Sequence, residues 1–158
     1  MFLHGGFLHI ASNMLYLFIF GDNVEDRLGH FKFLIFYFVC GVAAGITHIV
    51  VNASSDVPSI GASGAIAGVL AAYLRLFPHA RVRTLIFIGP IVLVPRIAAA
   101  FLILFWFATQ FLSGVMSLGA TTDQTAGVAV WAHIGGFISG LILLEILRPR
   151  TRRPALSY

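Results

Sequence analysis

Long apolar stretches alternate with short polar clusters along this chain. Their lengths predict five membrane-spanning helices at roughly 7–21, 31–51, 61–77, 97–117 and 128–147. The polar clusters between them, "GDNVEDRLGH", "NASSDVPSIG", "RLFPHARVR" and "LGATTDQTAG", read as loops. A shorter apolar stretch from Leu85 to Val94 is interrupted by Gly89 and Pro90 and closed by Pro95. It reads as an interfacial or re-entrant connection, not as a further span. No internal repeat divides the chain, so residues 1–148 are expected to form one transmembrane domain, followed by a basic tail at 149–158.

Composition agrees with the pattern. Of 158 residues, 59% are hydrophobic and only 10% charged, against roughly 25% charged in a soluble domain. The fold class that follows is an all-α polytopic helix bundle with the lipid bilayer as its solvent. Cys40 is the single cysteine and lies in an apolar run, which excludes a disulfide framework. No basic stretch precedes the first apolar run, so no cleavable signal peptide is expected.

Charge then orients the helices. The 10 Lys and Arg residues fall in four places: Arg27 and Lys32; Arg75, Arg81 and Arg83; Arg96; and Arg148, Arg150, Arg152 and Arg153. Alternating five spans puts all four on one side, while the loops at 52–60 and 118–127 carry none. By the positive-inside rule that side is cytoplasmic. The net charge of +4 therefore marks topology and not nucleic-acid binding. The first, third and fifth spans run from outside to inside. On them, Arg75 lies 12 positions after Ser63, Glu145 lies 12 after His133, and Asp22 lies 13 after His9, each the first charge met. At ~1.5 Å per residue, all three polar residues sit ~18–20 Å above the inner boundary, something like 10 Å below the outer surface of a ~30 Å core. Three polar side chains share one level on three co-directional helices.

Each of these residues also has a bland explanation. Ser63 lies among small residues, with Gly64 and Gly68 at i, i+4 and Ser63, Ala67 and Ala71 on a second small face, a pattern that membrane helices use for close packing. The same small faces suit a central helix. His133 could bond a backbone carbonyl, yet an imidazole inside a membrane is costly and points to function. Gly136 and Gly140 share its face and would bring its helix against a neighbour. His9 and Asn13 are i, i+4 and could bond across helices or donate to an oxyanion. His4 reads as interfacial, and His30, His48 and His79 lie at loops or span ends. Metal hydrolysis lacks a His-Glu-x-x-His spacing. Paired-carboxylate chemistry is excluded because Asp22, Glu25, Asp26, Asp56, Asp123 and Glu145 all stand in loops or at span ends. Nucleophilic catalysis by Ser63 remains, and it calls for no cofactor and no metal.

Four motifs in order, "HIASN" at 9–13, "EDRLG" at 25–29, "GASG" at 61–64 and "AHIGGFISG" at 132–140, make the chain resemble the rhomboid intramembrane serine proteases over essentially its whole length. That resemblance implies a six-span core, of which this chain carries the last five. It implies Ser63 as nucleophile and His133 as general base, without a third acidic member, and an oxyanion site from His9, Asn13 and the Ser63 backbone N–H. Gly136 and Gly140 would be the close-packing face, Gly61 and Gly64 would belong to the structural motif around Ser63, and Glu25 and Arg27 would organise the cytosolic loop. Substrates would be transmembrane helices of other proteins, cut near their outer ends. Two other readings stay open from the residues: a non-catalytic binder of transmembrane helices, and a small channel or transporter lined by positions 9, 13, 63 and 133. The charge layout suggests a bacterial plasma membrane; oligomeric state is left open.

Overall fold

The computed structural model describes residues 1–53, 60–117 and 130–147. Helix α1 (Phe7–Tyr16) passes without a break through a five-residue π-helical segment (Leu17–Gly21) into α2 (Asp22–Leu28). Helices α3 (His30–Val51) and α4 (Ser63–Leu76) follow, then strands β1 (Arg81–Arg83), β2 (Ile86–Ile88), β3 (Ile91–Leu93) and β4 (Arg96–Ala98), and finally α5 (Ala99–Ser117) and α6 (Val130–Leu147). Helices α3, α5 and α6 are each long and apolar enough to cross a bilayer. The structure is a multi-pass membrane bundle. Residues 54–59, 118–129 and 148–158, among them Asp56, Asp123 and the expected basic tail at 149–158, lie outside the described residues.

Two of the expected connections are regular structure. "GDNVEDRLGH" is helical up to Leu28, because a polar run ends a hydrophobic stretch without ending a helix. The break comes only at Gly29, whose φ of +83° suits glycine and whose N–H reaches back to the Glu25 carbonyl. The stretch from Arg81 to Ala98 is a single β-hairpin. Its pairs, Arg81 with Ala98 at the base and Ile88 with Ile91 at the tip, keep one constant register across a gap at Pro95, which has no N–H to donate. Gly89 (φ +58°) and Pro90 make the two-residue turn. The hairpin takes the first residues expected of the fourth span, so α5 starts at Ala99. Leu85, Phe87, Ile88, Ile91, Val92, Leu93 and Val94 are all exposed, on both hairpin faces. Arg81, Arg83 and Arg96 sit at its base, which matches an interfacial seat.

The bundle is built around α4. Every residue from Gly64 to Tyr73 is buried, whereas the outer helices present large apolar side chains outward, such as Phe18, Phe31, Val42, Phe101 and Ile142. Lipid, not water, suits that surface. At 14 residues and ~1.5 Å per residue, α4 is shorter than the hydrocarbon core is thick. Being enclosed by other helices, it needs no full crossing of its own.

Helices α4 and α6 run in the same direction with their backbones touching. A methyl group on Gly136 would run into the Gly64 carbonyl oxygen, and one on Gly140 would come within 2.5 Å of Gly68 Cα. Helix α3 closes over the same seam, with Cys40 Sγ 2.6 Å from where a Gly68 Cβ would stand and Ala44 Cβ 2.6 Å from that of Gly64. At the inner end Arg75 Nε meets Glu145 Oε1 at 3.1 Å, and Lys32 Nζ donates to the Leu147 carbonyl at 2.8 Å. Both Arg75 and Glu145 are well exposed, so this pair marks register more than it adds stability.

Gly136→Ala is expected to lower thermal stability in detergent by about 1–3 kcal/mol through overpacking against backbone. Gly45→Ala, in α3 with open space at its Cβ, should be neutral or slightly stabilising, and equal losses in both would remove the seam's special role. A spin label at Val92→Cys in lipid vesicles should be relaxed by oxygen and shielded from an aqueous nickel chelate. The opposite pattern would put the hairpin in water.

Candidate active site

The seam between α4 and α6 carries two polar groups to one place. Ser63 is the first residue of α4, and His133 lies three residues into α6. Ser63 Oγ and His133 Nε2 are 2.7 Å apart, close enough for the hydroxyl to donate to the ring. His133 is only 8% exposed. The register that pairs these two also pairs Arg75 with Glu145, 12 residues further along each helix, so the common depth counted from the sequence is a common depth in space.

Its place at the head of α4 gives Ser63 a second property. The first N–H groups of a helix lack intrahelical acceptors, and the helix dipole makes that end positive. Here Ala62 caps the helix with no side-chain hydrogen bond. The chain can turn into Ser63 from such a direction only because Gly61 adopts φ +115°, where a side chain is strained. A Cβ on Gly61 would also stand 2.7 Å from His9 Nε2 and 3.7 Å from Asn13 Nδ2. So Gly61 brings α1 to the head of α4.

The α1 side chains arrive with donors forward. The Gly5 N–H donates to His9 Nδ1 at 3.3 Å, which leaves the ring proton on Nε2, the nitrogen facing Gly61. Asn13 is buried and its Nδ2 has no hydrogen-bond partner among the described residues. A buried unpaired donor is costly in a finished structure and calls for an explanation. Here it stands beside Gly61, two residues before Ser63. A serine with an imidazole acceptor, a helix N-terminus and two side-chain donors can attack a carbonyl and hold the negative charge that develops on its oxygen.

The remaining motif residues fall away from this point. Glu25 pairs with His30 across the α2–α3 break, and the Arg27 guanidinium lies 5.6 Å from the Phe77 ring centroid, both at the inner end. Gly64, Gly136 and Gly140 form the seam described above.

Three neighbours were missing from the sequence reading. His4, expected at the interface, packs edge-on against His9 with ring centroids 5.1 Å apart, its two ring nitrogens buried. Gln110 and Trp106, both on α5, contact His133: Gln110 Oε1 lies 2.8 Å from Nδ1, and the Trp106 ring centroid is 5.5 Å from that of the imidazole. A signal existed. Gln110 stands eleven residues into α5, or ~16 Å above the inner boundary, and it is the one side-chain amide in that span.

A family profile described as "Rhomboid domain" matches residues 1–150. Among curated relatives, "Rhomboid-like protein 11, chloroplastic" of Arabidopsis thaliana is 28% identical over 92% of this chain and 50% of its own length. "Presenilin-associated rhomboid-like protein, mitochondrial" of Bos taurus is 30% identical over 89% of this chain and 34% of its own length. "Rhomboid protein 1, mitochondrial" of Saccharomyces cerevisiae is 35% identical over 57% of this chain and 27% of its own length. The chain thus spans half or less of the length of these relatives. No solved structure matches it at comparable significance.

Asn13→Ala is expected to leave the unfolding temperature unchanged or to raise it slightly, since it removes a buried donor that the resting protein leaves unpaired. A fall of several degrees would show that the amide is bonded within the protein, and so not free for a ligand.

Proposed function

The chain belongs to the rhomboid family, and from that premise we propose that it is an intramembrane serine endopeptidase acting on transmembrane helices of other proteins. The single observation that carries the reading is the 2.7 Å approach of Ser63 Oγ to His133 Nε2, at the positive end of a buried helix. His133 takes the hydroxyl proton as Oγ bonds to the substrate carbonyl carbon. The oxyanion is held by the Ser63 N–H, Asn13 Nδ2 and His9 Nε2. The C–N bond then breaks, with the proton passing from His133 to the leaving amine. Water repeats the sequence on the acyl-enzyme and releases the second product.

Depth selects the substrate. Ser63 lies something like 10 Å below the outer surface by the helix count, so water reaches it from the non-cytoplasmic side and cleavage falls near the outer end of a transmembrane helix. An intact helix hides its carbonyls in hydrogen bonds, which favours segments with small residues that unwind locally. Residues 1–148 form the transmembrane domain in this reading, and 149–158 a basic cytoplasmic tail. A seat in a bacterial plasma membrane rests on the charge layout alone.

Purified chain in mild detergent is expected to be labelled by a serine-reactive fluorophosphonate, and Ser63→Ala to lose the label together with cleavage of a transmembrane substrate while its unfolding stays near normal. Cleavage retained in Ser63→Ala would refute the assignment. Silence of the wild-type chain towards both label and substrate would favour a non-catalytic helix-binding protein.

A further inference from the structure

We propose that Gln110 completes the Ser63–His133 pair as a positioning residue: its side-chain oxygen holds the imidazole in the one tautomer able to take a proton from Ser63, while Trp106 braces the ring. The consequence for turnover rests on the hydrolase reading. The statement about the tautomer does not.

An imidazole has two nitrogens, and each has a fixed task here. Nε2 faces Ser63 Oγ at 2.7 Å and must present a lone pair if it is to accept the hydroxyl proton. The ring proton then belongs on Nδ1, where a buried N–H needs an acceptor. Gln110 Oε1 supplies it at 2.8 Å. With the amide turned the other way, its NH2 would donate to Nδ1, push the ring proton to Nε2 and leave Ser63 without a base. The orientation with Oε1 towards Nδ1 is the productive one.

No carboxylate competes for this role among the described residues. Glu145, the acidic residue on the same helix, is 12 positions inward, ~18 Å away along the axis. An acid at this depth would carry a large desolvation cost in the membrane, whereas an amide offers a neutral acceptor at much lower cost. It supplies orientation without a full counter-charge, and orientation is the part of the task that a serine–histidine pair cannot provide for itself.

The support for the ring comes from one helix face. Trp106 and Gln110 are one turn apart on α5, so the indole reaches the ring's side while the amide reaches its outer nitrogen. That face is fixed both below and above. Phe107 stacks on Phe137 with centroids 4.2 Å apart, and a Cβ on Gly114 would stand only 3.2 Å from Ile134 and 3.3 Å from Val130, so α5 packs closely on α6 there. A glutamine that merely joined two membrane helices could have bonded any carbonyl of α6; this one meets the nitrogen opposite the nucleophile.

The test compares the full chain, with ring-15N-labelled histidine, to Gln110→Met, which keeps shape without an acceptor, and Gln110→Glu, which keeps the acceptor. Ring 15N resonances of His133, assigned by their loss in His133→Ala, report which nitrogen carries the proton, and kcat and KM are read on a transmembrane peptide. Wild type is expected to be protonated on Nδ1. Gln110→Met should move towards a mixture of tautomers and lose ~10²-fold in kcat with KM within about twofold. Gln110→Glu should keep the Nδ1-protonated ring and return to within about tenfold of wild type. An unchanged tautomer and kcat in Gln110→Met would overturn the inference and leave the hydrolase reading standing. A tautomer change in a chain that cleaves nothing would uphold the role of Gln110 and remove the hydrolase reading instead. Should Gln110→Met fail to fold, wild type decides alone: a ring protonated on Nε2 overturns the proposal.

Discussion

Everything in this structure depends on two helix backbones being allowed to touch. Membrane helices gain nothing from excluding lipid tails, which are as apolar as their own side chains, so close approach and the contacts it permits must hold them together. Between α4 and α6 that approach is complete, because Gly64, Gly68, Gly136 and Gly140 leave no side chain in the seam. Serine and imidazole have short reach. Only at backbone contact can a hydroxyl at the head of one helix meet a ring on the next.

The same seam explains how polar groups survive at this depth. An imidazole in hydrocarbon is expensive when alone and tolerable when both nitrogens are bonded. Here Ser63 and Gln110 occupy the two nitrogens of His133, and the surrounding helices exclude lipid from it. Asn13 is the contrast, since its Nδ2 is buried and unpaired in the resting protein. The polar groups at the head of α4 are thus paired at His133 and unpaired at Asn13.

Much of this was legible in the sequence, for a physical reason. Lipid penalises polar residues so heavily that the few inside spans stand out, and counting to the next charge gives their depth. That count put Ser63, His133 and His9 at one level, and the pairing of Arg75 with Glu145 shows that the count was also a register. What stayed hidden lacked such a penalty signal or had a different one. The polarity of α2 resembles that of a loop, although only Gly29 breaks the backbone there. The hairpin at 81–98 has apolar residues on both faces, so the alternation that betrays a half-buried strand is absent. Gln110 is hidden differently: an amide is ordinary in loops, and only its place in the middle of a span marks it.

The π-helical segment between α1 and α2 sets the phase of the outer half of that helix. His9 and Asn13 above it, and Val24 and Leu28 below it, all turn towards α4 or its surroundings. On an unbroken α-helix the nineteen positions from His9 to Leu28 would leave those two residues roughly 100° apart, and the eleven from Asn13 to Val24 would leave that pair roughly 20° apart. A π-turn absorbs about one extra residue, and so turns the outer half by about 100° relative to the inner half. The donors of the outer half are therefore aimed by chain length, not by any one side chain. Removing a single residue between Leu17 and Gly21 would leave hydropathy, charge layout and every motif intact, yet would rotate His9 and Asn13 out of the site like a key turned in its lock.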